Sequence, residues 1–241
     1  MNLKIILKKY LNTGMKYEDN QNNWLKETIG RLPAGLRLLD AGAGELRNKK
    51  YCEHLDYVSM DSCQYEGIGD GAGLQTNDWN VTRIDIIGDI IDIPEDDDSF
   101  DVILCTEVFE HIPDPVLAIA EFQRLLKKDG VLIITAPFCS LTHFAPFHFS
   151  TGFNRYYYEH HLHERGFKVE EMTTNGNYFE YISQEVWRMK QVVEKYTMRS
   201  PSLLDKIIMA ATLKMLSRFS RRDIGSSELL CYGYHVVAIK K

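Results

Sequence analysis

The chain has 241 residues, 44% hydrophobic and 26% charged, which is ordinary for a globular protein and long enough for one large α/β domain or two small ones. A formal charge of −6 with no strongly basic block in the body of the chain weighs against nucleic acid as the main partner. The five scattered cysteines (Cys52, Cys63, Cys105, Cys139, Cys231) include no CxxC pair, so the expectation is reduced structural thiols in a cytoplasmic protein.

At the N-terminus a short apolar run, Ile5 to Leu7, lies between lysines. It is too short for a membrane span and lacks a small-residue cleavage site. Residues 1–35 read as a helical segment, with Trp24, Leu25, Ile29 and Leu32 at helical spacing before Gly30, Pro33 and Gly35. Leu36 to Leu39 reads as a buried strand. It runs into Asp40-Ala41-Gly42-Ala43-Gly44, where two glycines give a turn that a ligand can approach closely, or simply a tight turn. Asp56 to Asp61 reads as a second strand. Its closing acid lies 21 residues after Asp40, where nucleotide-binding βαβ units place an acid on the ribose hydroxyls.

Residues 62–83 carry Gly67, Gly69, Gly71 and Gly73 without helical periodicity. They predict a long loop whose polar end, with Trp79, lines a ligand pocket or merely covers the surface. Ile84 to Asp89 and Phe100 to Thr106 read as the third and fourth strands. Asp114 as N-cap and Pro115 at the first position start a helix that Gly130 is expected to end, with Lys127 and Lys128 near its C-terminus. Val131 to Thr135 follows as a fifth strand. This alternation implies a parallel sheet whose strand ends gather Asp40, Asp61, Asp89, Thr106 and Pro137 on one edge.

With these residues in place, the chain resembles the class I S-adenosylmethionine-dependent methyltransferases over residues 36–173. Leu39 to Gly44 looks like the first motif, and Asp61 like the acid closing the second strand. Gly88 to Pro94 with Ser99 to Ile103 resembles the third and fourth motifs. Glu107-Val108-Phe109-Glu110-His111-Ile112-Pro113-Asp114-Pro115 resembles the corresponding run of the ubiquinone-type and small-molecule subgroup, and Leu125 to Gly130 its following turn. The resemblance implies a Rossmann-like, mostly parallel seven-stranded sheet and S-adenosyl-L-methionine as cofactor. It implies that Asp40, Gly42 and Gly44 border the methionine part, Asp61 and Ser62 the ribose, and Asp89 and Ile90 the adenine. Thr106 and Glu107 would face the sulfonium and the acceptor. Leu46 replaces a glycine common in the first motif, and the glycine-rich loop replaces the usual second helix.

After Pro137, His143 and His148 lie among aromatics, followed by Arg155, Tyr156 and Tyr157. His143, His148 and Glu107 are the candidate catalytic groups, an imidazole suiting a general base. Arg155 and Tyr156 are candidates for binding an acceptor. His111 reads as a packing residue of its turn. No carboxylate or cysteine shows ligand spacing with these histidines, so no metal is expected. His160, His161 and His163 fall on a solvated helix face before Gly166.

Gly166 to Glu170 reads as a sixth strand and 229–240 as the last. Between them, 178–224 predicts a helical insertion with one stripe of Ile182, Val186, Met189 and Val193. The second helix starts at Ser200-Pro201, with Leu204, Ile208, Ala211 and Met215 as its stripe. It covers the acceptor site, forms a dimer face, or rests on a membrane through its basic residues in 201–222. The expectation for the whole is a single domain over 1–241 that methylates a small-molecule or glycan-type acceptor at oxygen. A non-catalytic scaffold of the same fold is the alternative. A nucleotide-binding oxidoreductase is disfavoured because Arg47 stands where its fingerprint needs glycine.

Overall fold

The computed structural model describes residues 13–81 and 83–241, so the apolar run at Ile5 to Leu7 lies outside the described residues. The chain forms two compact units: residues 23–173 with 233–241, and, among the described residues, 13–22 with 174–232.

A seven-stranded sheet is built from β1 (Arg37–Ala41), β2 (Asp56–Asp61), β3 (Ile86–Ile87), β4 (Phe100–Thr106), β5 (Leu126–Pro137), β6 (Phe167–Asn175) and β7 (Gly233–Lys240), in the order β3-β2-β1-β4-β5-β7-β6. Strands β1 to β5 pair in parallel, and β7 runs antiparallel to β5. The order reverses between β1 and β4, so their carboxyl ends flank the crevice where ligands of such sheets bind. The helices are α1 (Tyr17–Gly30), α2 (Pro115–Leu125), α3 (Arg155–Glu164), α4 (Tyr178–Thr197) and α5 (Leu203–Ser220). One face of the sheet buries Leu38, Val102, Leu104 and Ile133 against Leu25 and Ile29 of α1. Those two positions are an i,i+4 pair, which is why α1 forms despite its polar composition.

Strands β2 and β4 and the start of α2 fall where the residue pattern puts them. Asp114 caps α2 by accepting from the amides of Val116 and Leu117. Other boundaries move, each for a local reason. Strand β1 extends past Leu39 because Asp40 and Ala41 pair with Ser59 and Met60. Strand β3 shrinks from the expected 84–89 to two residues. The Asp85 carboxylate instead accepts from the Ser59 amide and hydroxyl, at 2.9 and 2.6 Å, and Asp89 turns the chain back toward Asp92.

Helix α2 stops at Leu125, not Gly130, because Leu126 already pairs with Phe100 of β4. Asp129, rather than Gly130, takes the left-handed conformation, at φ +62°. Lys127 therefore lies on a strand and pairs with Asp101 at 2.7 Å instead of closing a helix dipole. Strand β6 runs on to Asn175, and β7 starts only at Gly233, after a short turn at Ser226–Glu228.

In the second unit, α4 and α5 form a hairpin. Asn177 caps α4 and also donates to the Ser220 hydroxyl at the end of α5, at 3.2 Å. Ser202, not Ser200, caps α5 in a reciprocal box with Asp205. Val186, Leu213 and Leu216 form the core, with Phe179, Ile182, Trp187 and Met209 around it. The apolar stripe read on α5 is exposed, Leu204 at 66% and Ile208 at 55%. Helix α5 has apolar residues on two faces, and the one carrying Met209, Leu213 and Leu216 packs on α4. Among the described residues no helix is long and apolar enough to cross a membrane.

Candidate functional site

The first part of the site is the glycine turn after β1. Gly42 and Gly44 hold φ of +83° and +48°. A Cβ on Gly42 would run into the Val108 side chain, and one on Gly44 would stand 2.8 Å from Trp79 Cζ2. Glycine is thus required twice, by conformation and by space. The amides of Gly42 and Ala43 donate to the Met60 carbonyl, and the Gly44 amide donates to Asp61 Oδ2 at 2.9 Å. Asp61 Oδ1 accepts from the Cys63 amide at 2.8 Å. Asp61 therefore clasps the turn from β2 while Ser62 stays exposed.

Asp40 is fully buried at the end of β1. Tyr57 donates to its Oδ2 at 2.7 Å, and its Oδ1 is buried without a partner. Burial lifts its pKa to about 7; the charge of Asp61 adds to the rise, and hydrogen bonds from Tyr57 and Asn48 oppose it. An orphaned buried acidic oxygen beside a glycine turn suits a cationic ligand group, so these residues fit the methionine end of S-adenosylmethionine. Asp89 is exposed and accepts from the Ile91 amide within its turn; Ile90 beside it is buried. Thr106, at the end of β4, accepts from Asn48 at 2.9 Å.

The second part lies just beyond β4. Glu107 takes the left-handed conformation, at φ +55°, and accepts from the Thr135 hydroxyl at 2.8 Å. Such strain in a non-glycine residue is typical of functional sites. The short turn Phe109–His111 follows, presenting Glu110 and His111. His111 Nδ1 lies 2.6 Å from the Phe147 carbonyl, and His143 Nδ1 lies 2.8 Å from that of Leu141. A carbonyl only accepts, so both rings carry their proton on Nδ1 and turn an Nε2 lone pair inward. Those Nε2 atoms stand 3.6 and 3.8 Å from Oε1 of Glu110, which is 1% exposed. His148 completes the group, its ring 4.9 Å from that of His143 and its Nε2 3.1 Å from the Ser140 hydroxyl. Burial, then the neighbouring imidazoles, bring His111 down to about 4; burial also lowers His148. Burial and the charge of Glu107 raise Glu110.

The glycine-rich loop joins the two parts. The Leu74 amide donates to Thr142, the Phe144 amide to Leu74, and the Asp70 amide to Ala145. Tyr65 stacks on Phe144 at 4.3 Å, and Trp79 meets the same ring edge-on at 5.2 Å. Phe144 also stacks on His111 at 5.0 Å. Arg155 and Tyr156 sit at the start of α3, where the guanidinium lies over the Tyr156 ring and pairs with Glu159 at 3.4 Å.

Sequence reasoning named His143, His148 and Glu107 but not Glu110, and it treated His111 as packing. The adjacent Glu110-His111 pair was visible. Its proximity to a loop 32 residues further on was not.

Residues 39–134 match the family model described as a methyltransferase domain. A ubiquinone biosynthesis O-methyltransferase of Leptothrix cholodnii is 25% identical over 116 residues, covering 47% of this chain and 48% of the relative. The chain thus spans about half the length of the curated relatives it matches. Among solved structures, the YcgJ protein of Bacillus subtilis superposes with a TM-score of 0.52 at 15% identity, covering 91% of this chain and 99% of that one. Haemonchus contortus phosphoethanolamine N-methyltransferase 2, in complex with S-adenosyl-L-methionine, does so with 0.51 at 17%, covering 92% and 52%. The match to the family model over residues 39–134, the O-methyltransferase relatives and the shared fold together support a class I S-adenosylmethionine-dependent methyltransferase domain in this chain.

Proposed function

We propose that the protein transfers a methyl group to a small-molecule or glycan-type acceptor at oxygen. The observation that carries this reading is one strand edge holding both a glycine turn with the buried acid Asp40 and a cluster of inward-facing imidazoles. S-adenosylmethionine, when bound, supplies a methyl group on a cationic sulfonium, and in-line displacement returns the broken bond's electron pair to sulfur. Gly42 and Gly44 admit the donor close to the backbone, and Asp61 holds their turn. Asp40 supplies negative charge to the cationic end. Burial disfavours the charged form of His148, and a neutral ring there can take the proton that an acceptor hydroxyl loses as the new oxygen–carbon bond forms. His143 and Glu107 border the same space, and Arg155 with Tyr156 offers charge and a ring face to an acceptor.

The test is calorimetric titration with S-adenosylmethionine, S-adenosylhomocysteine and NAD, followed by a hydroxyl-acceptor screen read by S-adenosylhomocysteine release. Binding of the first two and not NAD is expected. His148→Ala should cut turnover at least about 100-fold, on the scale of a lost general base, and leave cofactor affinity unchanged. Absence of binding would return the scaffold reading, and unchanged turnover would remove His148 as the base.

A further inference from the structure

We propose that Glu110, His111 and His143 form a binding site for a divalent transition-metal ion, with open positions that take the acceptor's oxygen. The first half stands on this chain's own geometry; the second rests on the methyl-transfer reading above.

Three donor atoms converge: Oε1 of Glu110 and Nε2 of both histidines, all within 4.8 Å of one another. Ligands about 2.0–2.2 Å from a common ion are on the order of 3 Å apart, so the two Oε1–Nε2 separations of 3.6 and 3.8 Å need shifts of well under 1 Å. Both imidazoles are already in the tautomer that ligation needs. Each gives its Nδ1 proton to a main-chain carbonyl, of Phe147 or Leu141, and this outer contact fixes the ring with its Nε2 lone pair inward. Without a cation or a shared proton between them, two lone pairs and a carboxylate face one another in a buried space.

A second observation is independent of the rings. Oε2 of Glu110 is buried and has no hydrogen-bond partner. Among the described residues, no lysine or arginine pairs with this carboxylate; the groups near its Oε1 are the two neutral imidazoles. A buried, half-satisfied carboxylate is costly unless something cationic joins it.

The surroundings hold the site in place. The Glu110 carbonyl accepts from the amides of Phe149 and Ser150, tying the turn to the segment that carries the Phe147 carbonyl. Two imidazoles and a carboxylate suit zinc, iron, cobalt, nickel or manganese better than calcium or magnesium. Three protein ligands leave coordination positions open, as in catalytic rather than structural sites. An acceptor hydroxyl taking one of them becomes more acidic, so its oxyanion forms at neutral pH and its proton can pass to the nearby His148.

The experiment is a titration of chelator-treated protein with Co²⁺, followed by visible d–d absorption and by calorimetry, with no cofactor present. One ion per chain with intense tetrahedral or five-coordinate bands is expected. Glu110→Gln and His143→Ala should each weaken binding at least about 100-fold while melting cooperatively. His160→Ala/His163→Ala, on the exposed face of α3, should bind as the wild type does. No saturable binding, or equal binding by the Glu110 and His143 variants, overturns the proposal; so does loss of binding in the α3 variant, which would place the ion at the surface. Cofactor titration is read separately. Metal binding without S-adenosylmethionine binding leaves this site standing and removes the transferase reading, and the reverse removes only this site. If both bind, a hydroxyl compound that shifts the Co²⁺ spectrum supports the open-position role, and a screen in which none does overturns it.

Discussion

At the scale of single residues, Asp40 gives the clearest physical signature. Folding raises its pKa from 3.8 to about 7, so the folded state holds the proton more tightly than the unfolded chain. Its contribution to stability is therefore complete below about pH 4 and is lost as pH rises through about 7. The difference is on the order of 4 kcal/mol between the fully protonated and fully ionised limits. Thermal unfolding from pH 5 to 8 should show this decline, and Asp40→Asn should flatten it. The same carboxyl should lose its proton when a cationic cofactor binds below pH 7. Binding heats should then vary with the ionisation enthalpy of the buffer in the wild type and not in Asp40→Asn. Asp40 was legible in the sequence as the acid that ends a strand. Its partner Tyr57 was not, because that contact depends on the register of β1 against β2.

At the scale of elements, the cap of α2 is the most local device. Asp114→Ala removes the acceptor for the Val116 and Leu117 amides and should cost about 1 kcal/mol, measured by denaturant unfolding with an unchanged slope. Elements with such self-contained signals were legible: Asp114-Pro115, the apolar run of β4 and the i,i+4 pair of α1. Elements settled by distant partners were not. Strand β3 is short because Asp85 spends its carboxylate on Ser59. Helix α2 ends early because β4 claims Leu126. Helix α5 offers two apolar faces, and periodicity alone cannot say which one α4 covers. The histidine cluster belongs to the same class, since a turn after β4 meets a loop after β5 only once both strands are paired.

For the molecule as a whole, the outward face of α5 carries exposed Leu203, Leu204, Ile207 and Ile208. Lys206, Lys214, Arg218, Arg221 and Arg222 accompany them, against the single acid Asp205 in 203–222. A dimer contact and an anionic surface are the two uses such a face offers, and salt and vesicle binding tell them apart. Flotation with phosphatidylglycerol vesicles that is lost in high salt or in Leu204→Glu/Ile208→Glu would assign the face to a membrane surface. A concentration-dependent dimer in sedimentation without flotation would assign the face to self-association instead. The loop of residues 62–85 has a different consequence. The hydrogen bonds that lay it along 142–145 also seat Trp79 over Gly44 and Phe144 beside His111. The cover over the glycine turn and the segment that holds His143 are thus held by one set of contacts. A substitution that breaks these hydrogen bonds should therefore disturb the cover over Gly44 and the placing of His143 together.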